Sequence, residues 1–124
     1  MNINTECLYS KSHEWVRIEN DTAYIGITDY AQNQLGDIVF VGLPVVGDKV
    51  STSDAYSDVE SVKAVSDVYS PVDGTISEVN TQLESDPALL NTDPYGTWIA
   101  KLTDISSTDG LMTPAEYEEY CAAL

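Results

Sequence analysis

Apolar and polar positions alternate over much of the chain with the two-residue period of half-buried strands. Val16–Glu19 and Thr22–Thr28 alternate on either side of Asn20-Asp21, which predicts a hairpin. Asp29–Leu35 departs from that alternation and predicts a short helix, with Thr28 or Asp29 placed to cap it and Gly36 to stop it. Ile38–Leu43 is a continuous apolar strand ended by Pro44, and Val45–Asp48 turns the chain into another short strand. Ala55–Val62 and Ala64–Val68, rich in Val, Ser and Asp, read as two strands meeting at Lys63 in a tight hairpin. Pro71-Val72-Asp73-Gly74 signals a turn before a strand over Thr75–Val79. Glu84–Leu90 predicts a helical turn or two, interrupted by Pro87, and Trp98–Leu102 a last strand.

The C-terminal helix is signalled most clearly. Thr113-Pro114-Ala115-Glu116 has the spacing of a capping box with proline at the first helical position. Tyr117, Tyr120, Cys121 and Leu124 recur at helical spacing and are expected to lie on the sheet. Many short strands punctuated by Gly and Pro indicate a mainly β domain, a sandwich or flattened barrel with peripheral helices. At 124 residues a single domain spanning 1–124 is expected, large enough for one modest core.

Composition narrows the function classes. Twenty-one acids against five bases give a net charge of −16, a surface that repels phosphate backbones, so neither nucleic acid nor an anionic membrane is an expected partner. The same surface favours encounter with basic patches on other proteins. No run of eighteen apolar residues is present, and Met1–Glu6 lacks the features of a signal or transit peptide, so a cytoplasmic monomer is expected. Cys7 and Cys121 lie near opposite ends without metal-binding spacing and are expected to be free thiols. With His13 as the only histidine, a metal site or a Ser-His-Asp triad is poorly supplied.

Against that acidic background Lys63 stands out. Val62 and Ala64 are poor turn residues, where Gly, Asn, Asp or Pro would serve a mere bend. A primary amine on a four-carbon stem, offered at a rigid tip, suits covalent modification better than ion pairing. The stretch Val59-Glu60-Ser61-Val62-Lys63-Ala64-Val65-Ser66-Asp67 resembles the lipoyl-attachment segment of the glycine cleavage system H proteins. Further blocks match in the family's order: Ser12-His13-Glu14-Trp15, Gly26–Gln32 with Leu35–Ile38, Leu43-Pro44 with Gly47, Ser70–Gly74, Asn91–Gly96, Trp98 and Leu111-Met112-Thr113. The resemblance runs from about Tyr9 to Tyr120. Two departures stand out: Gly96-Thr97-Trp98 is one residue shorter than the family's usual loop, and Gly42 stands where the family often has Glu.

The resemblance implies a barrel-sandwich hybrid related to lipoyl and biotinyl carriers, with lipoate joined to Lys63 by an amide and Glu60, Ser61, Val62 and Ala64 forming the attachment motif. It implies that the loaded arm, ending in an amine, folds back into a cleft where Glu14, Asp67 and Ser12 hold it. The implied partners are a pyridoxal-phosphate glycine decarboxylase, a tetrahydrofolate-dependent aminomethyltransferase, dihydrolipoyl dehydrogenase and lipoate-attaching enzymes. The chain itself is then a carrier of the aminomethyl group and a substrate of those enzymes rather than a catalyst. The alternative is a lipoyl-relay donor to ketoacid dehydrogenase complexes. A biotinyl carrier would show Met on both sides of the lysine, and an acyltransferase lipoyl domain typically Asp-Lys-Ala; Val62 and Ala64 fit neither pattern.

Overall fold

Residues 1–124 are all described by the computed structural model. The predicted first hairpin forms from β2 (Glu14–Glu19) and β3 (Thr22–Ile27), with Asn20 taking the left-handed conformation at the turn. A short β1 (Leu8–Tyr9) adds to the edge of β2. Gly26 lies opposite Trp15 in this ladder, and a Cβ there would meet the indole at 2.9 Å, so glycine lets the ring lie across the neighbouring strand. The indole Nε1–H then donates to Pro94 O at 3.0 Å.

Helix α1 (Asp29–Leu35) follows at once. Thr28 Oγ1 accepts from Ala31 N–H, and Gly36, at φ 78°, ends the helix by donating its N–H to Gln32 O. The remaining strands are β4 (Ile38–Gly42), β5 (Lys49–Val50), β6 (Ala55–Ser61), β7 (Val65–Tyr69), β8 (Gly74–Val79) and β9 (Ala100–Thr103). They form a six-stranded sheet ordered β1-β2-β3-β9-β8-β5 and a three-stranded sheet ordered β4-β6-β7, with antiparallel pairing throughout. No ladder joins the two sheets, so the molecule is a sandwich and not a closed barrel. Ile25, Ile76 and Leu102 from one sheet and Val41, Val59 and Val68 from the other belong to one buried cluster, the main core.

Three segments differ from the sequence-based expectation in bounds or packing. The helical turns expected over 84–90 form as α2 (Gln82–Ser85) and α3 (Leu89–Thr92), interrupted around Pro87 as expected but starting and ending two residues further out. Strand β9 begins at Ala100 because Thr97 is still bonded to the preceding turn, its N–H donating to Asp93 O at 2.9 Å. The C-terminal helix α4 (Pro114–Ala122) has its capping box, but Leu124 lies beyond its last turn and is 64% exposed. Tyr117 and Cys121 are buried, and they pack in a second cluster with Cys7, Tyr9 and Trp15 rather than in the main core. Tyr9 and Tyr117 stack there with ring centroids 4.3 Å apart.

Candidate functional site

Lys63 sits at the tip of the β6–β7 hairpin. Ser61 N–H donates to Ala64 O at 2.8 Å, and Ser61 Oγ accepts from the N–H groups of Lys63 (3.3 Å) and Ala64 (3.1 Å). A serine side chain thus supplies the turn chemistry that Val62 and Ala64 lack. Val62 N–H donates to Asp37 O at 3.0 Å, which ties the tip to the segment entering β4. Lys63 is exposed and forms no ion pair; the two salt bridges are Arg17–Glu19 and Lys101–Glu78. Around it Val39, Phe40, Val62 and Val65 are each more than half exposed, an apolar collar on an otherwise acidic surface. Glu60, paired with both Phe40 and Val65, crosses that collar as its nearest carboxylate in the ladder.

The lysine stem runs over the end of α1. A Cβ at Gly36 would lie 3.6 Å from Lys63 Cε. Along the same helix, Tyr30, Ala31, Gln34 and Leu35 form one wall of a cleft of 220 Å³, closed by Ser12, His13 and Ser66. At 1.5 Å rise per residue, Leu35 to Tyr30 is about 8 Å, a distance a long arm extending from Lys63 can cover. Larger hollows of 490 and 540 Å³ involve neither the hairpin tip nor α1.

Glu14 lies behind Ser12. Its carboxylate is 2% exposed, and Oε1 accepts from Ser10 Oγ and Ser12 Oγ, each at 2.5 Å. Tyr69 N–H donates to Oε2 at 3.3 Å. Burial raises the Glu14 pKa above the ordinary carboxylate value, and the hydrogen bonds from Ser10, Ser12 and Tyr69 oppose part of that rise. The result is a buried acid with fixed donors and a serine between it and the cleft.

The Asp67 side chain does not line this cleft. Ser61 and Ala64 form a hydrogen-bonded pair, so by alternation Val59–Ser66 is bonded and Asp58–Asp67 is not. The Asp67 carboxylate is exposed and borders a shallow hollow with Gly42 and Asp58, on the face opposite Ser66. Its backbone N–H and C=O, however, lie on the free edge of β7, the edge from which Tyr69 reaches Glu14. Asp58 also fills the space above Gly42, where a Cβ would collide with its carboxylate. The shorter Gly96-Thr97-Trp98 loop is held in place by Gly96 N–H donating to Asp93 Oδ1 at 3.1 Å.

Five cleft residues, Tyr30, Ala31, Gln34, Leu35 and Ser66, were not legible as such from their chemistry. Tyr30/Gln34 and Ala31/Leu35 are i, i+4 pairs, the one signal that placed them on a common face. No helix is long and apolar enough to cross a membrane, and no cluster of His, Cys, Asp or Glu is arranged to hold a metal ion. Cys7 and Cys121 are free and buried.

Comparison with known proteins bears on this geometry. Residues 7–123 match the model of the family described as glycine cleavage H-protein. A glycine cleavage system H protein of Thermoanaerobacter sp. (strain X514) is 57% identical over 114 residues, 90% of each chain. One from Clostridium botulinum (strain Hall) is 50% identical over 126 residues, covering 100% of this chain and 97% of that protein. The crystal structure of a glycine cleavage system H protein from Mycobacterium marinum superposes with a TM-score of 0.87 at 38% identity, covering 98% of both chains. With its lysine hairpin, its sandwich fold and these relatives taken together, the chain belongs to the glycine cleavage H-protein family, whose members are lipoyl-bearing carriers.

Proposed function

We propose that Lys63 carries lipoate through an amide bond and that the chain shuttles the aminomethyl group of glycine between the enzymes of the glycine cleavage system. The observation that carries this reading is the placement of an exposed, unpaired Lys63 at a locked turn, its stem against Gly36 at the end of a cleft-lining helix. Once bound, lipoate supplies a disulfide that accepts the carbon group and two electrons together.

Each residue of this chain then has a physical task. Ser61 fixes the hairpin so that a modifying enzyme meets the Lys63 amine in one geometry. Acylation removes the lysine charge, and the exposed Val39, Phe40, Val62 and Val65 make the surroundings compatible with an uncharged arm. The cleft along α1 receives the far end of the arm, where Ser12 Oγ accepts a hydrogen bond from an ammonium group while donating to the Glu14 carboxylate behind it, which supplies the opposing charge. The Asp67 backbone carbonyl, on the free edge of β7, is a further acceptor for that group, and the Asp67 carboxylate is not. The partners are glycine decarboxylase, the aminomethyltransferase, dihydrolipoyl dehydrogenase and a lipoate-attaching enzyme, all of which act on the arm while this chain presents and shelters it.

The test is incubation with lipoate, ATP and a lipoate ligase, followed by intact mass and peptide mapping. One lipoyl increment on Lys63, with Lys11, Lys49 and Lys101 unmodified, is expected. Lys63→Arg is expected to abolish the increment and all aminomethyl transfer while leaving the melting temperature nearly unchanged. Transfer retained by that variant would remove the assignment.

A further inference from the structure

His13 is the one wall residue of the arm cleft that can carry a positive charge, and its surroundings fix more than its position. It adopts a left-handed backbone conformation, φ 72°, which is costly for a non-glycine residue and holds the ring where an extended residue could not place it. The ring stacks on Tyr30 of α1 with centroids 4.3 Å apart, and its Nδ1 is 2.9 Å from Tyr117 Oη of α4. Tyr117 Oη is in turn 2.8 Å from Thr28 Oγ1.

These three groups form a chain whose direction can be read. Thr28 Oγ1 already accepts the Ala31 N–H at the start of α1, and Thr28 is fully buried with Tyr117 as the acceptor for its hydroxyl proton. Thr28 therefore donates to Tyr117, Tyr117 donates to His13 Nδ1, and His13 carries its proton on Nε2. Protonating His13 would make Nδ1 a donor, turn the Tyr117 proton toward Thr28 and leave the buried Thr28 proton without its acceptor. That is an uncompensated loss.

We infer that the Thr28–Tyr117 chain is a positioning device that holds His13 neutral, as its Nε2–H tautomer, so that the cleft can retain a cationic arm end, and that protonation of His13 expels it. The inference rests on the proposed carrier function and adds to it a residue outside the attachment motif and the Ser12–Glu14–Asp67 set. Burial also lowers the His13 pKa from its ordinary value, in the same sense as the hydrogen-bond chain. The other groups around the ring are the Tyr30, Tyr117 and Tyr120 phenols from α1 and α4, the buried Glu14 carboxylate next in sequence, the exposed Lys11 side chain, and the uncharged Ser66 from β7. No carboxylate forms an ion pair with the ring, and the neighbouring Glu14 is already engaged by Ser10, Ser12 and Tyr69.

The test has two readouts. Because His13 is the only histidine, imidazole nitrogen NMR of the unlipoylated protein reports it without ambiguity. The Nε2–H tautomer and a pKa below the ordinary histidine value are expected, and Tyr117→Phe should move that pKa up. The second readout is retention of the aminomethyl group on Lys63-lipoylated protein, followed by intact mass. Its loss consumes one water and returns the dithiol, formaldehyde and ammonium. The loss rate should rise about tenfold as pH falls from about 7.5 to about 5, tracking the NMR titration. In a Glu14→Gln background, where the buried carboxylate no longer titrates, that dependence should persist, and adding His13→Asn, which tolerates the left-handed backbone and carries no charge, should abolish it. An Nδ1–H tautomer, a flat rate in loaded protein, or an acid dependence in the Glu14→Gln background that survives His13→Asn would each overturn the inference while the carrier reading stands. Failure of Lys63 to accept lipoate would overturn both.

Discussion

Glu14 and Asp67 are two acids in a chain of twenty-one, and their chemistry is decided by a few ångströms of placement. Glu14 is buried with three donors on its oxygens, so its carboxylate is fixed, whereas Asp67 presents its carboxylate to solvent and only its backbone to the cleft edge. Glu14→Gln should therefore leave lipoylation intact and speed loss of the loaded group by about tenfold or more, since a charge-assisted hydrogen bond contributes roughly 1.5–3 kcal/mol. An unchanged loss rate by intact mass would remove Glu14 from the cleft. The same variant makes a pH statement. Because burial raises the Glu14 pKa, the folded state binds its proton more tightly than the unfolded state, and wild-type stability falls as pH rises from the ordinary carboxylate pKa through the raised one. Glu14→Gln should lack that decline in chemical denaturation measured across the acid range. Asp67→Ala, in contrast, should change arm retention by less than about 0.5 kcal/mol, the scale of a surface substitution.

At the scale of elements, the hairpin and α1 form one device. The hairpin needs a turn that tolerates Val62 and Ala64 beside the lysine, and Ser61 provides it by accepting two backbone N–H groups. Ser61→Ala should cost about 1 kcal/mol locally and lower the kcat/KM of lipoylation several-fold, with far-UV circular dichroism unchanged. Helix α1 is capped at both ends, by Thr28 and by Gly36, and in the proposed function its two ends would serve the two ends of the arm. Gly36 passes beneath the lysine stem, and Thr28 anchors the hydrogen-bond chain to His13. Helix α4 contributes through Tyr117 alone in that chain, although its sequence signals were the clearest of any element. The alternation of β7 was readable once Val68 faced the core, since Ser66 then faces inward and Asp67 outward.

Over the whole molecule the excess of acid acts at long range. A net charge of −16 on 124 residues repels itself and attracts basic partner surfaces. Raising ionic strength from about 0.01 M to about 0.5 M shortens the screening length several-fold. It should raise the KM of the partner enzymes for this chain, slow association and increase the melting temperature, as read by steady-state kinetics and calorimetry. A KM insensitive to salt would mean that the apolar collar around Lys63, and not the charge, guides docking. The collar and the acids are interleaved on the three-stranded sheet, where Phe40, Glu60 and Val65 form one cross-strand row and Gly42, Asp58 and Asp67 another on the same face.

The lysine at a hairpin tip, the strand alternation, the capped helices and the two-sheet class follow from local sequence, because periodicity, turn chemistry and caps act between residues a few positions apart. The break at Pro87 is a local effect that the sequence carries, while the bounds of α2 and α3 and the end of α4 before Leu124 were read less sharply because short helices are marginal without packing. The cleft was decided only by the tertiary structure. Ser12 and His13 from the β1–β2 turn, Tyr30 and Gln34 from α1, and Ser66 from β7 meet across long stretches of chain. Whether a carboxylate or a backbone carbonyl faces that space depends on the register of an edge strand, a property of the whole sheet. The direction of the Thr28–Tyr117–His13 chain likewise required a helix from the far end of the sequence, since no local pattern records which buried hydroxyl will find which acceptor.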